Sequence, residues 1–156
     1  MINKNALTNE LSRHEVAKGN ECTVFNLKRA TRVVQSVFDN AFKSTGLEGT
    51  QYTVLSHIYV TEPISLTKLA DLMDVDRTTL ARNLAPLEKK GFVEIKSGSD
   101  KRAKLITTTD LGKEVLSKAL PIWKETQEKI KDTLGNENWS SMISSLNGLV
   151  DNLKES

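Results

Sequence analysis

Between Asp76 and Ile95 the chain reads DRTTLARNLAPLEKKGFVEI, and its first half gathers side chains able to read the edges of nucleic-acid bases. Arg77, Arg82 and Asn83 bring hydrogen-bond donors. Thr78 and Thr79 each bring a hydroxyl and a methyl, and are short enough to let a backbone come close. A guanidinium fits guanine O6 and N7 as a bidentate pair, and an Asn amide does the same for adenine N6 and N7. Leu80, Leu84 and Leu87 recur at the i, i+4, i+7 spacing that puts an apolar stripe on the other face of a helix. Asp76 stands where a cap belongs and Gly91 where such a helix stops. Pro86 is out of keeping, because a proline in a helix interior removes a hydrogen bond at a cost of about 3 kcal/mol. It lies beyond the groove-facing turns, where a bend toward the following strands can be accommodated.

Charge points the same way. Residues 77–104 carry eight Lys or Arg against three Asp or Glu, a local excess of +5 in a chain whose net charge is only +2. A basic block in a near-neutral chain fits a polyanion partner, although a solvated surface would show the same count. The 156 residues allow one domain with extensions, and 27% charged residues with 38% hydrophobic ones describe a globular chain. No apolar run reaches the roughly 18–20 residues of a membrane span. The first residues, MINKNALTNELSRHEVAKGNE, lack the apolar core of a signal peptide, so a cytoplasmic location is expected. The single Cys22 excludes an intramolecular disulfide and any multi-cysteine zinc site.

The elements that must position these side chains follow from periodicity. Residues 1–19 read as weakly structured, with a short helical piece around Leu7 to Val16. From Asn20 to Thr45 the spacing of Val24, Leu27, Val34, Phe38 and Phe42 predicts an amphipathic helix that Gly46 stops. TQYTVLSHIY is the next helix, with Thr50 as expected cap, Tyr52, Leu55, Ile58 and Tyr59 inward, and Pro63 beyond its end. Ser65 caps a short helix through Met73, and a DVD turn leads into the helix quoted above. FVEIKS and AKLITT alternate apolar and polar residues across Gly98, Ser99 and Asp100, the pattern of a hairpin. Thr109 or Asp110 caps a long helix to about Leu134, with Pro121 expected to kink it. A last helix covers about Glu137 to Lys154. Two short helices across a tight turn, followed by a hairpin, form a winged helix-turn-helix, whose second helix can enter the DNA major groove.

The stretch DRTTLARNLAPLEKKGFVEIKSGSDKRAKLITTTDLGKEVL resembles the core of the MarR family of bacterial transcription regulators. The likeness rests on the recognition helix, on the D-x-R pattern of Asp100 and Arg102, and on Leu105, Thr108, Leu111 and Gly112 leading into the next helix. With QYTVL and the flanking helices it covers about residues 21–153. It implies a mainly α fold: a winged helix-turn-helix with a two-stranded β wing and additional N- and C-terminal dimerisation helices. Residues 1–156 then form one domain, with the DNA-binding core at about 48–110 and the helical dimerisation region at about 1–45 and 112–156. The resemblance implies a homodimer bound to a pseudo-palindromic operator on double-stranded DNA, usually as a repressor. It makes Arg77, Thr78, Thr79, Arg82 and Asn83 major-groove or phosphate contacts. Arg102 becomes the wing-tip residue in the minor groove, with Asp100 orienting it, and Lys96, Lys101 and Lys104 become phosphate contacts.

Members of that family often bind small aromatic or lipophilic acids between the dimer and winged regions. By element, Phe25, Arg29, Tyr52, His57 and Trp123 are the candidates to line such a cleft, and all five would serve equally as ordinary core or interface residues. Some members sense oxidants through a cysteine near the start of the first long helix, which makes Cys22 the redox candidate. No Tyr follows within the next turn to support a thiolate there, and ligand control is the preferred reading. His14 and His57 have no partners at metal-ligand spacing, and no cofactor is expected. No Ser-His-Asp set, phosphate loop or carboxylate pair argues for an enzyme. The alternative from another class is a winged-helix module for protein–protein interaction without DNA affinity.

Overall fold

A computed structural model describes residues 21–97 and 104–154. The chain divides into two compact units, Met1–Ser36 and Val37–Ser156. The first long helix, α1 (Thr23–Ala41), crosses from one unit to the other. Every described residue of the first unit is exposed, including Val24 at 59% and Phe25 at 48%.

The second unit builds the core. From Phe42 to Thr45 the helix tightens into a 3-10 turn, so α1 ends four residues earlier than its apolar spacing predicts. The turn closes on Gly46 at φ +73°, a left-handed conformation that glycine adopts without a Cβ penalty. Next comes α2 (Gly49–Thr61), whose N-cap is Glu48 rather than the expected Thr50. The Glu48 side chain makes no capping bond. Instead the Gly49 N–H donates to Asp39 Oδ1 at 2.7 Å, a partner supplied by α1 from ten residues upstream. Tyr52, Leu55 and Ile58 are buried as expected, but Tyr59, in the last turn of the helix, is exposed.

After the cis Glu62–Pro63 bond, β1 (Ile64–Ser65) pairs antiparallel with the later strand β3 (Lys104–Thr108), which also pairs with β2 (Val93–Ser97). The sheet order is β1-β3-β2, with Ile106 between Ile64 and Ile95. The hairpin is thus joined by a third strand too short to announce itself in the sequence. Glu62 fixes that seam: its Oε2 accepts from both the N–H and the hydroxyl of Thr108.

Two short helices follow β1: α3 (Leu66–Leu72), capped by Ser65, and α4 (Arg77–Lys89). The long α5 (Asp110–Leu134) starts at a Thr109 cap and runs through Pro121 as a single helix. Gly135 then separates it from α6 (Asn136–Lys154). Leu55, Ile58, Leu69, Leu80, Leu87 and Ile106, each below 2% exposed, tie α2, α3, α4 and the sheet into one core. Fully burying a side chain of this size is worth about 1.5–3 kcal/mol.

Candidate nucleic-acid interface

The turn between α3 and α4 is set by backbone geometry. Asp74 sits at φ +53°, a left-handed conformation that Asp tolerates better than most residues. The Val75 N–H reaches the Ala70 carbonyl at 3.1 Å and the Asp74 N–H reaches Asp71 at 3.3 Å, so both bonds of a Schellman closure are present. The Asp74 carboxylate also pairs with Lys154 at the end of α6.

Two residues later α4 begins with a double cap. Asp76 Oδ1 accepts from the Thr79 N–H at 2.8 Å, and Oδ2 accepts from the Thr79 hydroxyl at 2.6 Å. These bonds stabilise the carboxylate, chiefly the one from the hydroxyl, and lower the Asp76 pKa from its ordinary value. Thr79 Oγ1 in turn accepts from Arg82 Nη2 at 3.5 Å, the outer limit of a hydrogen bond. Thr79 has therefore spent its proton within the helix. It offers a base an acceptor and a methyl, but no donor.

The stripe of Leu80, Leu84 and Leu87 is buried as the spacing predicts, so the opposite face must be the free one. Arg77, Thr78 and Arg82 are exposed, and Thr79 and Asn83 are half-buried. Ala81 and Ala85 are exposed on the same side, and their small size lets the helix backbone approach a surface closely. Nothing in the sequence marks them, because alanine is also an ordinary helix filler. The helix runs unbroken through Pro86 and ends in a second Schellman closure: Gly91, at φ +72°, donates to Glu88 at 2.9 Å and Phe92 donates to Leu87 at 2.9 Å.

The hairpin is locked to this end. The Thr109 N–H donates to the Phe92 carbonyl at 3.0 Å and its hydroxyl to Gly91 at 2.6 Å. Gly112 lies so close that a Cβ would come within 2.0 Å of the Phe92 oxygen. Of the wing candidates, Lys96 is exposed and pairs with Glu94 at 2.5 Å, so part of its charge is already compensated. That hydrogen bond lowers the Glu94 pKa. Lys104 is exposed. Asp100, Lys101 and Arg102 lie outside the described residues, as does the helical piece expected near Leu7. One exposed basic residue folds its ammonium back on the protein: Lys90 bonds Gly46 and Gln51, a role that nothing local in the sequence announces.

The candidate ligand residues fare differently. Tyr52 stacks between Phe42 at 4.9 Å and Trp123 at 6.2 Å, and Phe38 extends the series from Phe42 at 6.0 Å. Burial pushes the Tyr52 phenol up from its ordinary pKa. His57 is half-buried and its Nδ1 lies 2.7 Å from the Thr53 carbonyl, which makes Nδ1 the protonated nitrogen. Phe25 and Arg29 are exposed in the first unit, and Cys22 is an exposed thiol just ahead of α1.

A capped helix-turn-helix whose second helix bears an outward polar face, backed by a hairpin locked to its end, defines a winged helix-turn-helix protein. The chain belongs to the MarR family, whose members are transcriptional regulators rather than enzymes: the family's profile matches residues 47–104. It is similar to the M. tuberculosis transcriptional regulator MosR in complex with DNA, at 30% identity and a TM-score of 0.78, covering 86% of this chain and 97% of that one. A structure of the transcriptional regulator SlyA matches at 27% identity and a TM-score of 0.73, over 85% of this chain and 94% of that one. The uncharacterized HTH-type transcriptional regulator YybA of Bacillus subtilis (strain 168) is 36% identical over 85 residues, 54% of this chain. The matched segment spans 57% of that curated relative's length. No helix among the described residues is long and apolar enough to cross a membrane.

Proposed function

We propose that the protein is a sequence-specific transcriptional repressor that binds a pseudo-palindromic operator as a homodimer and is released by a small aromatic or lipophilic ligand. The observation that carries the DNA reading is α4 itself. Arg77, Thr78 and Arg82 stand outward on a capped helix whose other face is wholly buried, in a fold similar to a MosR that was crystallised with DNA. Arg102 at the wing tip, oriented by Asp100, and the phosphate contacts from Lys96, Lys101 and Lys104 complete the interface by resemblance.

The dimer reading rests on apolar surface left exposed among the described residues. Neither α1 nor α6 buries a residue. Met142, Leu149, Val150 and Leu153 are exposed on α6, the last at 68%, and Trp139 and Ile143 are only half-buried on the same helix. A patch of this kind marks an interaction surface. The ligand reading is supported by the Phe38–Phe42–Tyr52–Trp123 series, whose inner rings are buried and whose end rings, Phe38 and Trp123, are half-buried and open to a flat acid.

A second reading, the protein-interaction module, draws on one observation: Lys96 is already paired with Glu94, so one basic side chain of the block is compensated. Selection of bound sequences from random duplex DNA tests both readings. The repressor reading expects enrichment of two inverted half-sites with centres one helical turn apart, and recovery of no enriched duplex favours the module. If peroxide released wild type but not Cys22→Ser from the selected duplex, the thiol would be the switch in place of a ligand.

A further inference from the structure

Lys90 caps the recognition helix and is exposed, yet its ammonium is engaged within the protein. Nζ donates to the Gly46 carbonyl at 2.7 Å and to Gln51 Oε1 at 2.9 Å, partners 44 and 39 residues away. Both acceptors belong to the junction where the α1 helix, after its 3-10 turn, hands over to α2. Gln51 is a buried polar residue, 7% exposed, in the first turn of α2. The Lys90 backbone meanwhile sits inside the α4 closure, since its N–H bonds Pro86 at 3.0 Å and the residue after it is the left-handed Gly91. One side chain thus joins the C-terminal end of α4 to the turn at the end of α1 through charge-assisted bonds, the stronger class of hydrogen bond.

The geometry points to Lys90 as a positioning residue for DNA recognition: it holds the recognition helix at a fixed place relative to the α1–α2 junction and does not touch DNA itself. This inference rests on the DNA-binding reading above. Residue count alone would make Lys90 a phosphate contact, because it sits in the basic block beside Lys89. The two roles differ in one measurable property. A lysine that neutralises a phosphate contributes about one unit to the slope of log affinity against log salt concentration, whereas a residue that only sets helix position contributes none. A displaced helix loses base contacts at every salt concentration.

The test uses the full chain and a duplex selected by the wild type, with affinity measured from low to high salt for Lys90→Met and Gln51→Met. Both should bind about tenfold more weakly, the scale of a lost base contact, with the wild-type slope retained. A slope lowered by about one in Lys90→Met, with Gln51→Met at wild-type affinity, would make Lys90 a phosphate contact and overturn the proposal. Wild-type affinity in both variants would overturn it as well. Should Lys90→Met lose its helical circular dichroism, Gln51→Met decides alone: it keeps the Lys90 charge, so only the positioning role predicts weaker binding. Failure of the DNA-binding reading would show separately, as a wild-type chain that retains no duplex at any salt.

Discussion

The Thr79 hydroxyl donates its proton to Asp76 Oδ2 across 2.6 Å, while the Thr79 backbone N–H donates to Oδ1 of the same carboxylate. The side chain that stands at the groove end of α4 is therefore held by the residue that starts the helix. Removing the cap should loosen both. Asp76→Ala is expected to lower the thermal midpoint by a few degrees and to weaken DNA binding, while Asp76→Asn, which keeps an acceptor, should hold most of the stability. Equal midpoints for Asp76→Ala and wild type would count against the double cap.

The same carboxylate gives a pH dependence. Its pKa is lowered in the folded protein, first by the Thr79 hydroxyl. A depressed carboxylate adds stability that is fully present above its unfolded pKa, near pH 4, and lost as pH falls through the lowered folded value. The gap in thermal midpoint between wild type and Asp76→Ala should hold from pH 7 to about pH 5 and close as the solution is acidified below about pH 4. A gap unchanged at pH 3 would refute the assignment.

Gly112 has no room for a Cβ, which would lie 2.0 Å from the Phe92 carbonyl oxygen. Gly112→Ala must push the start of α5 away from the end of the recognition helix. The expected loss is about 1–3 kcal/mol of stability, the usual scale of overpacking. Chemical denaturation measures it directly, and a neutral result would mean that the two segments are not in contact. Gly148, where nothing lies within 4 Å of an added Cβ, is the control.

Arg82→Ala should cost about 1–3 kcal/mol in operator affinity and relax preference at one base position. Arg102→Ala, by the minor-groove role that the resemblance assigns it, should weaken binding strongly without changing helicity. Repeating the duplex selection with each variant checks both. An unchanged sequence preference for Arg82→Ala would remove that residue from the base contacts.

Sedimentation of the full chain at micromolar concentration should give twice the monomer mass, and removal of residues 139–156 should abolish that species. A folded monomer of the full chain would sink the homodimer and the palindrome together.

What could be read from the sequence was mostly local. Asp76, Ser65, Thr109, Gly91 and Gly135 are caps and stops whose partners lie within a few residues, and Leu80, Leu84 and Leu87 reveal their common face by spacing alone. What escaped was settled across distance. Lys90 looks like another surface cation until Gly46 and Gln51 are brought to it. Glu62 grips Thr108 from 46 residues away, and β1 has two residues and no pattern of its own. Thr50 was the better cap by residue type, but Asp39 reached the first N–H from another helix. Tyr59 shares an arc with Tyr52 and still meets water, because periodicity gives direction and says nothing of how far the covering elements extend.

The bond from Thr109 to Phe92 and the contact at Gly112 clamp the start of α5, and Val115, Ala119, Trp123 and Thr126 hold its middle against the core, which leaves only its far end free. Beyond Thr126 the helix runs on to Leu134, an arm of about 12 Å at about 1.5 Å per residue, so about 5° of tilt there sweeps Leu134 through about 1 Å. Leverage also works in reverse. If the far ends of two such arms are held against each other, a small change in tilt alters the gap between the clamped winged regions, and with it their match to the pitch of the double helix.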